Sequence, residues 1–217
     1  MKAINKLING FSRFRDEYYC REDSPFVELQ NHQEPSTMVI ACSDSRTDPS
    51  LILQCEPGEI FVVRNIANIV PPYEPDSMHH GVSSALEYAV KSLKVKNIII
   101  LGHSGCGGIK ALMDNKLAPE DEFITRWLSI LGSVRDKVIA RFALDGKKAS
   151  VEACAACEME GIVHSMDNLM TFTWVAEQVE KGDLEIFGWY FDLKDGRILD
   201  YHEDSEAFEP LRPFCLS

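Results

Sequence analysis

The stretches Thr37-Met38-Val39-Ile40-Ala41-Cys42-Ser43-Asp44-Ser45-Arg46 and Asn97-Ile98-Ile99-Ile100-Leu101-Gly102-His103-Ser104-Gly105-Cys106-Gly107-Gly108 follow the same pattern. Each opens on a run of apolar, β-branched residues and ends on residues that carry chemistry. Runs apolar at every position predict strands buried on both faces of a parallel sheet. In open α/β sheets, ligands gather beyond the carboxyl ends of such strands. Two strand ends would then bring two thiols, one imidazole and one carboxylate to one crevice, which predicts a zinc site with chemistry attached.

Upstream, Leu7, Ile8, Phe11, Phe14 and Tyr18 recur at steps of three and four, the pattern of an amphipathic helix. Such a helix packs on its own domain or on a partner. A polar link, Gln30 to Pro35, leads to the first strand. Asp48-Pro49 predicts an N-cap and a first-turn proline for a short helix over Ser50 to Gln54. Pro57-Gly58 is a turn signal, and Glu59-Ile60-Phe61-Val62-Val63 a second strand that ends at Arg64-Asn65. Pro71, Pro72 and Pro75 forbid helix from Ile69 to Pro75. Met78, Val82, Ala85, Leu86, Ala89, Val90 and Leu93 form one helical stripe that leads into Asn97–Leu101 and completes a β-α-β unit. Further helices are predicted over Ile109 to Lys116, Phe123 to Phe142, Val151 to Met166 (after an interruption at Gly146) and Asn168 to Glu180, closed by Gly182. Leu184 to Phe191 reads as a last core strand, paired through an Asp195-Gly196 turn with Arg197-Ile198-Leu199. The expected fold is one α/β domain over 1–217: a central, mainly parallel β-sheet flanked by helices, with an N-terminal helical extension over 1–35.

The 22 basic and 34 acidic residues give a net charge of −12, which excludes a generally basic surface for nucleic acid or anionic membrane. No run reaches the roughly 18 apolar residues of a membrane span. The first ten residues lack the apolar core and cleavage site of a signal peptide, so a cytoplasmic protein is expected. Its seven cysteines are then thiols or metal ligands, not a disulfide framework.

Zinc favours thiolate and imidazole in a tetrahedral set, and two cysteines with one histidine leave a position open for water. His103-x-x-Cys106 offers two ligands from one turn, and Cys42, 61 residues earlier, offers the third. The glycines at 102, 105, 107 and 108 suit a tight turn, and the Gly107 and Gly108 N–H groups begin a helix where an anion is welcome. Any one of these cysteines, taken alone, is more often core than ligand; the joint pattern points to a metal. Cys154-x-x-Cys157 lies within a helical stripe of Val151, Ala155, Met159, Ile162, Val163 and Met166, which favours incidental thiols. Cys20, Cys55 and Cys215 have no partner pattern.

Cys42 to Arg46 together with Gly102 to Gly108 closely resembles the β-class carbonic anhydrases. The resemblance extends through Pro57 to Asn68, Leu86-Glu87-Tyr88-Ala89-Val90 and Phe187 to Asp192, nearly the whole chain beyond Gln33. It implies one Zn²⁺ per chain on Cys42, His103 and Cys106, and a zinc-bound hydroxide that converts CO₂ into bicarbonate and a proton. Asp44 and Arg46 would be the catalytic dyad, with Arg46 holding the carboxylate that orients the hydroxide. In part of the family the aspartate sits on the zinc, a state that bicarbonate stabilises through a tryptophan three residues before the first cysteine. Val39 stands there, so the plant-type subgroup is expected, with Asp44 off the metal.

The same resemblance assigns Gln33, Phe61, Ile66 and Tyr88 to the CO₂ pocket, with Gly107 beside it. Ile66 stands where valine is usual, so a slightly narrower pocket is expected here. Pocket residues come partly from the neighbouring subunit in the family. A homodimer or larger homo-oligomer (tetramer or octamer) is therefore expected, with the 1–35 arm packed on a partner. His79 and His80 are candidates to relay protons, since imidazole titrates near neutrality; surface histidines at a helix start fit as well. Two alternatives stay open: hydrolysis of COS or CS₂ on the same scaffold, and a catalytically silent zinc-binding subunit.

Overall fold

The computed structural model describes residues 2–21, 23–76, 79–118, 120–144 and 148–211. Six strands, β1 (Thr37–Cys42), β2 (Ile60–Asn65), β3 (Asn97–His103), β4 (Glu185–Asp192), β5 (Arg197–His202) and β6 (Ala207–Pro210), form one sheet in the order β2-β1-β3-β4-β5-β6. The first four in that order are parallel; β5 and β6 are antiparallel additions at one edge. Alternate residues of β1 and β3 bury on opposite faces. Met38, Ile40, Ile98 and Ile100 belong to one cluster, and Val39, Ala41, Ile99 and Leu101 to another. The chain leaves β1 toward β2 on one side and β3 toward β4 on the other. The gap between the ends of β1 and β3 is therefore the topological switch point, where α/β sheets open a crevice. Cys42 and His103 are the last residues of these two strands.

The helices are α1 (Lys2–Tyr18), α2 (Phe26–Leu29), α3 (Pro49–Leu53), α4 (Gly81–Glu87), α5 (Gly107–Met113), α6 (Ile124–Leu128), α7 (Gly132–Arg141), α8 (Val151–Met170) and α9 (Thr173–Glu180). α3 begins as expected: the Asp48 carboxylate accepts from the Ser50 and Leu51 N–H groups, with Pro49 in the first turn. α8 lies directly on the sheet. A Cβ at Gly102 would stand 2.6 Å from Ile162 Cδ1, and one at Gly188 would stand 2.6 Å from Met166 Sδ, so the bare backbone sets the height of α8.

Several expectations are corrected. Phe123 to Phe142 is not one helix: a 3₁₀ turn, Ser129–Leu131, separates α6 from α7. Tightening to three residues per turn aligns Leu128, Leu131 and Val134 toward the core, all buried. The Val151–Met166 and Asn168–Glu180 helices divide at Thr171-Phe172 instead, and the first buries Ile162 and Met166 of the expected stripe within a wider inward face. Cys157, Gly161 and Ser165 are buried, whereas Val151 is 80% exposed. α4 starts at Gly81 and passes into a wide π-type turn, Tyr88–Leu93. Met78, Gly146 and Cys215 lie outside the described residues. α2 and β6 were not anticipated, because four residues are too few to show a period.

α1 buries none of its residues, and leaves Leu7 and Phe11 more than half exposed. Its C-terminal end is tied down through rings: Tyr19 stacks on Phe26 at 4.8 Å, and Phe14 meets Phe26 edge-on at 5.7 Å.

Candidate metal centre

Cys42, His103 and Cys106 converge at the switch point, with one ligand atom from each lying within 4.8 Å of the others. The two sulfurs are 4.0 Å apart, close to the ~3.8 Å edge of a tetrahedron with metal–sulfur bonds of about 2.3 Å. His103 is 1% exposed. Its Nδ1 faces the Ser104 carbonyl at 3.0 Å. A carbonyl only accepts, so Nδ1 carries the hydrogen and Nε2 presents a lone pair. That Nε2 is buried without a hydrogen-bond partner. A buried, orphaned lone pair facing two thiols fits a metal ion and little else.

The backbone prepares both sulfurs to ionise. N–H groups of Asp44 and Ala67 support the Cys42 sulfur, and those of Gly108 and Ile109, at the start of α5, support that of Cys106. The hydrogen bond from Cys106 draws the Cys42 thiol down to about 4, while the Cys42 thiolate and burial push Cys106 up. The pair thus retains one shared proton that a metal ion would displace.

Asp44 lies beside this set, its Oδ2 4.0 Å from His103 Nε2. Arg46 grips the carboxylate with Nε on Oδ1 at 2.9 Å and Nη2 on Oδ2 at 2.7 Å, and holds it well below the usual carboxylate range. Arg46 Nη2 also reaches the Gly105 carbonyl at 3.1 Å, which joins the two ligand loops.

Three supporting residues escaped the sequence reading. Arg64, at the end of β2, donates to the carbonyls of Cys42 (3.0 Å) and Asp44 (2.6 Å) and to the Asp48 carboxylate (2.9 Å). Glu158 of α8 is buried and accepts from the Cys106 N–H at 2.8 Å, and Tyr190 of β4 donates its hydroxyl to Glu158 at 2.8 Å. Burial pushes the Glu158 carboxyl up, and these donors counter it. The available signals were an arginine at a strand's carboxyl end and a glutamate on an otherwise apolar helix face.

The pocket residues divide. Ile66 sits at the metal end, where a Cβ on Gly108 would come within 2.7 Å of its Cγ2, and Gly107 opens α5 there. Phe61 and Tyr88 are together, with ring centroids 6.0 Å apart, and Gln33 and Tyr88 line one cavity of about 620 Å³. That group is at the other end of the sheet. Phe61 pairs with Met38 and Asn65 with Cys42, a separation of about 13 Å along the strand. His79 and His80 line a third place, an apolar groove with Ile66, Phe123 and Trp127, where His80 Nε2 meets Asp76 at 2.6 Å. Cys154 and Cys157 are free thiols; burial pushes Cys157 up to about 12. Cys20 is exposed and Cys55 half-buried.

Residues 37–198 match the family described as carbonic anhydrase. Beta carbonic anhydrase 3 of Arabidopsis thaliana is 39% identical over 221 residues, covering 100% of this chain and 83% of that protein. Beta carbonic anhydrase 6, mitochondrial, of the same plant is 37% identical over 88% of this chain and 65% of its own length. The structure of the beta-carbonic anhydrase CcaA superposes with a TM-score of 0.90 at 31% identity, covering 98% of this chain and 94% of that one. One of two tetrameric beta-carbonic anhydrases from Sordaria macrospora gives 0.72 at 31% identity, over 91% and 93%. Among the described residues no helix is long and apolar enough to cross a membrane, and the relatives do not fix a compartment.

Proposed function

We propose, for a chain that belongs to the β-carbonic anhydrase family, that the ion in its metal centre is zinc, one per chain, and that CO₂ is hydrated reversibly beside it. The observation that carries this reading is the unpartnered His103 Nε2, buried against the Cys42 and Cys106 sulfurs. When bound, zinc supplies Lewis acidity that brings the pKa of water near neutrality and so provides a nucleophile for CO₂. Cys42, His103 and Cys106 hold the ion. Asp44, kept ionised by Arg46, accepts a hydrogen bond from the attacking water and fixes its orientation; because Arg46 occupies both of its oxygens, it stays off the metal. Ile66 and Gly107 flank the reacting molecule.

Two observations support a homo-oligomer in which each pocket is shared, the whole chain acting as one domain. Gln33, Phe61 and Tyr88 lie about 13 Å along the strands from their own chain's thiols, so a second copy would have to bring its set to this centre. The exposed apolar face of α1 supplies an arm to reach that copy, and tetrameric relatives are known.

The test is to count zinc per chain, then follow proton release on rapid mixing with CO₂, with COS and CS₂ in parallel. Full zinc occupancy with hydration of CO₂ is expected. A fully loaded chain inert to CO₂ would sink the proposal, and turnover of COS or CS₂ alone would replace it with hydrolysis.

A further inference from the structure

We propose that Glu158 is a positioning residue for the metal centre: its buried carboxylate fixes the turn that aims the Cys106 sulfur, and Tyr190 fixes Glu158. The inference rests on the zinc reading above. A carboxylate in an apolar interior costs several kcal/mol unless it is fully hydrogen-bonded. Glu158 stands on α8 between Cys157 and the sheet-facing Ile162, all three buried. Its donors come from two other elements: the Cys106 N–H of the ligand turn on Oε1, and the Tyr190 hydroxyl of β4 on Oε2, each at 2.8 Å.

Each anchor is itself rigid. α8 cannot rise or slide freely, because Ile162 fills the space over Gly102 and Met166 that over Gly188. Tyr190 is paired with Gly102 in the β3–β4 register, one residue before the ligand His103. The turn is held on its other side by the Ser104 N–H on the Phe191 carbonyl at 3.0 Å and the Leu193 N–H on Ser104 Oγ at 2.8 Å. Within it, the Cys106 N–H points away to Glu158 while the Gly108 and Ile109 N–H groups point at the Cys106 sulfur. The carboxylate therefore sets the tilt of the Gly105–Cys106 peptide and, through it, the direction of the sulfur. Neutral glutamine has the same shape but only one acceptor oxygen, so either Cys106 or Tyr190 would face an amide NH₂.

The experiment uses the full chain loaded with zinc or cobalt. For Glu158→Gln, the rate of zinc loss to a chelator is expected to rise about 10- to 100-fold, the usual effect of losing an outer-shell partner, and the thiolate-to-cobalt absorption band to shift. Tyr190→Phe should move both readouts the same way by less. Leu169→Val, buried on the same helix but remote from the ligand turn, serves as a control that lowers the melting temperature without changing either readout. Wild-type release and spectrum in Glu158→Gln would overturn the inference, as would Leu169→Val accelerating release equally at equal loss of stability. If Glu158→Gln does not fold, an indifferent Tyr190→Phe overturns it. A wild-type chain that takes up no zinc overturns the zinc reading and this inference with it, whereas normal loading with an indifferent Glu158→Gln overturns this inference alone.

Discussion

Asp44 and Arg46 are joined by parallel hydrogen bonds, Nε to Oδ1 at 2.9 Å and Nη2 to Oδ2 at 2.7 Å, while the Arg46 backbone N–H reaches Oδ1 at 3.0 Å. With Arg46 half-exposed the pair adds only modestly to stability, so its main worth lies in where it holds a negative oxygen. Asp44→Asn should keep a full complement of metal and lose about 10²-fold in turnover, the usual cost of removing one preorganised hydrogen-bonding group. Unchanged turnover would remove Asp44 from the mechanism.

The same pairing has a pH signature. Arg46 lowers the Asp44 carboxyl, so its contribution to stability is complete above about pH 4, the unfolded value, and is lost as the pH falls through the lower folded value. The melting-temperature difference between wild type and Arg46→Ala should therefore narrow as the pH falls below about 4. A gap that widens on acidification would contradict the assignment.

Arg64 holds the Cys42 and Asp44 carbonyls and the Asp48 carboxylate at once. Arg64→Met keeps most of the apolar stem and leaves those oxygens short of donors. A loss of about 2 kcal/mol is expected, about 4–8 °C in melting temperature, together with weaker zinc retention. Calorimetry and chelator competition measure the two.

Gly102→Ala would place a Cβ 2.6 Å from Ile162 Cδ1. Overpacking of this kind costs about 1–3 kcal/mol. The double variant with Ile162→Val, which removes that methyl, should lose less than the sum of the single variants. Strict additivity would mean that the close approach is not what limits the site.

Metal uptake should release fewer protons than ordinary thiols would. Cys42 is already ionised at pH 6, with a value of about 4, whereas Cys106 keeps its proton. Zinc binding to the apo chain at pH 6 should then release about two protons, against nearly three for unperturbed ligands. Titration calorimetry in buffers of different ionisation enthalpy counts them.

Much of the site was legible because its chemistry is local in the chain. Cys42 with Asp44 and Arg46, and His103 with Cys106, each fall within a few residues of an apolar run, and such runs end at the mouth of a parallel sheet. The short α3, with Asp48 as cap and Pro49 behind it, was legible for the same reason. Helix division was not. The 3₁₀ turn at Ser129–Leu131 follows from what Leu128, Leu131 and Val134 must bury against, and period alone cannot express that. The supports were not legible either: Glu158 is 52 residues from the N–H it accepts, and Arg64 is 22 and 20 residues from its two carbonyls.

By itself, the sequence determined the fold class and the chemistry on offer, since strand burial, capping and donor type depend on residues close together in the chain. Only the tertiary structure decided how those groups are aimed. It left His103 Nε2 without a partner, put Glu158 behind Cys106, and parted Gln33, Phe61 and Tyr88 from their own chain's thiols. Each of these depends on how α8, β2 and β4 settle against the switch point, and that is a matter of packing between distant segments.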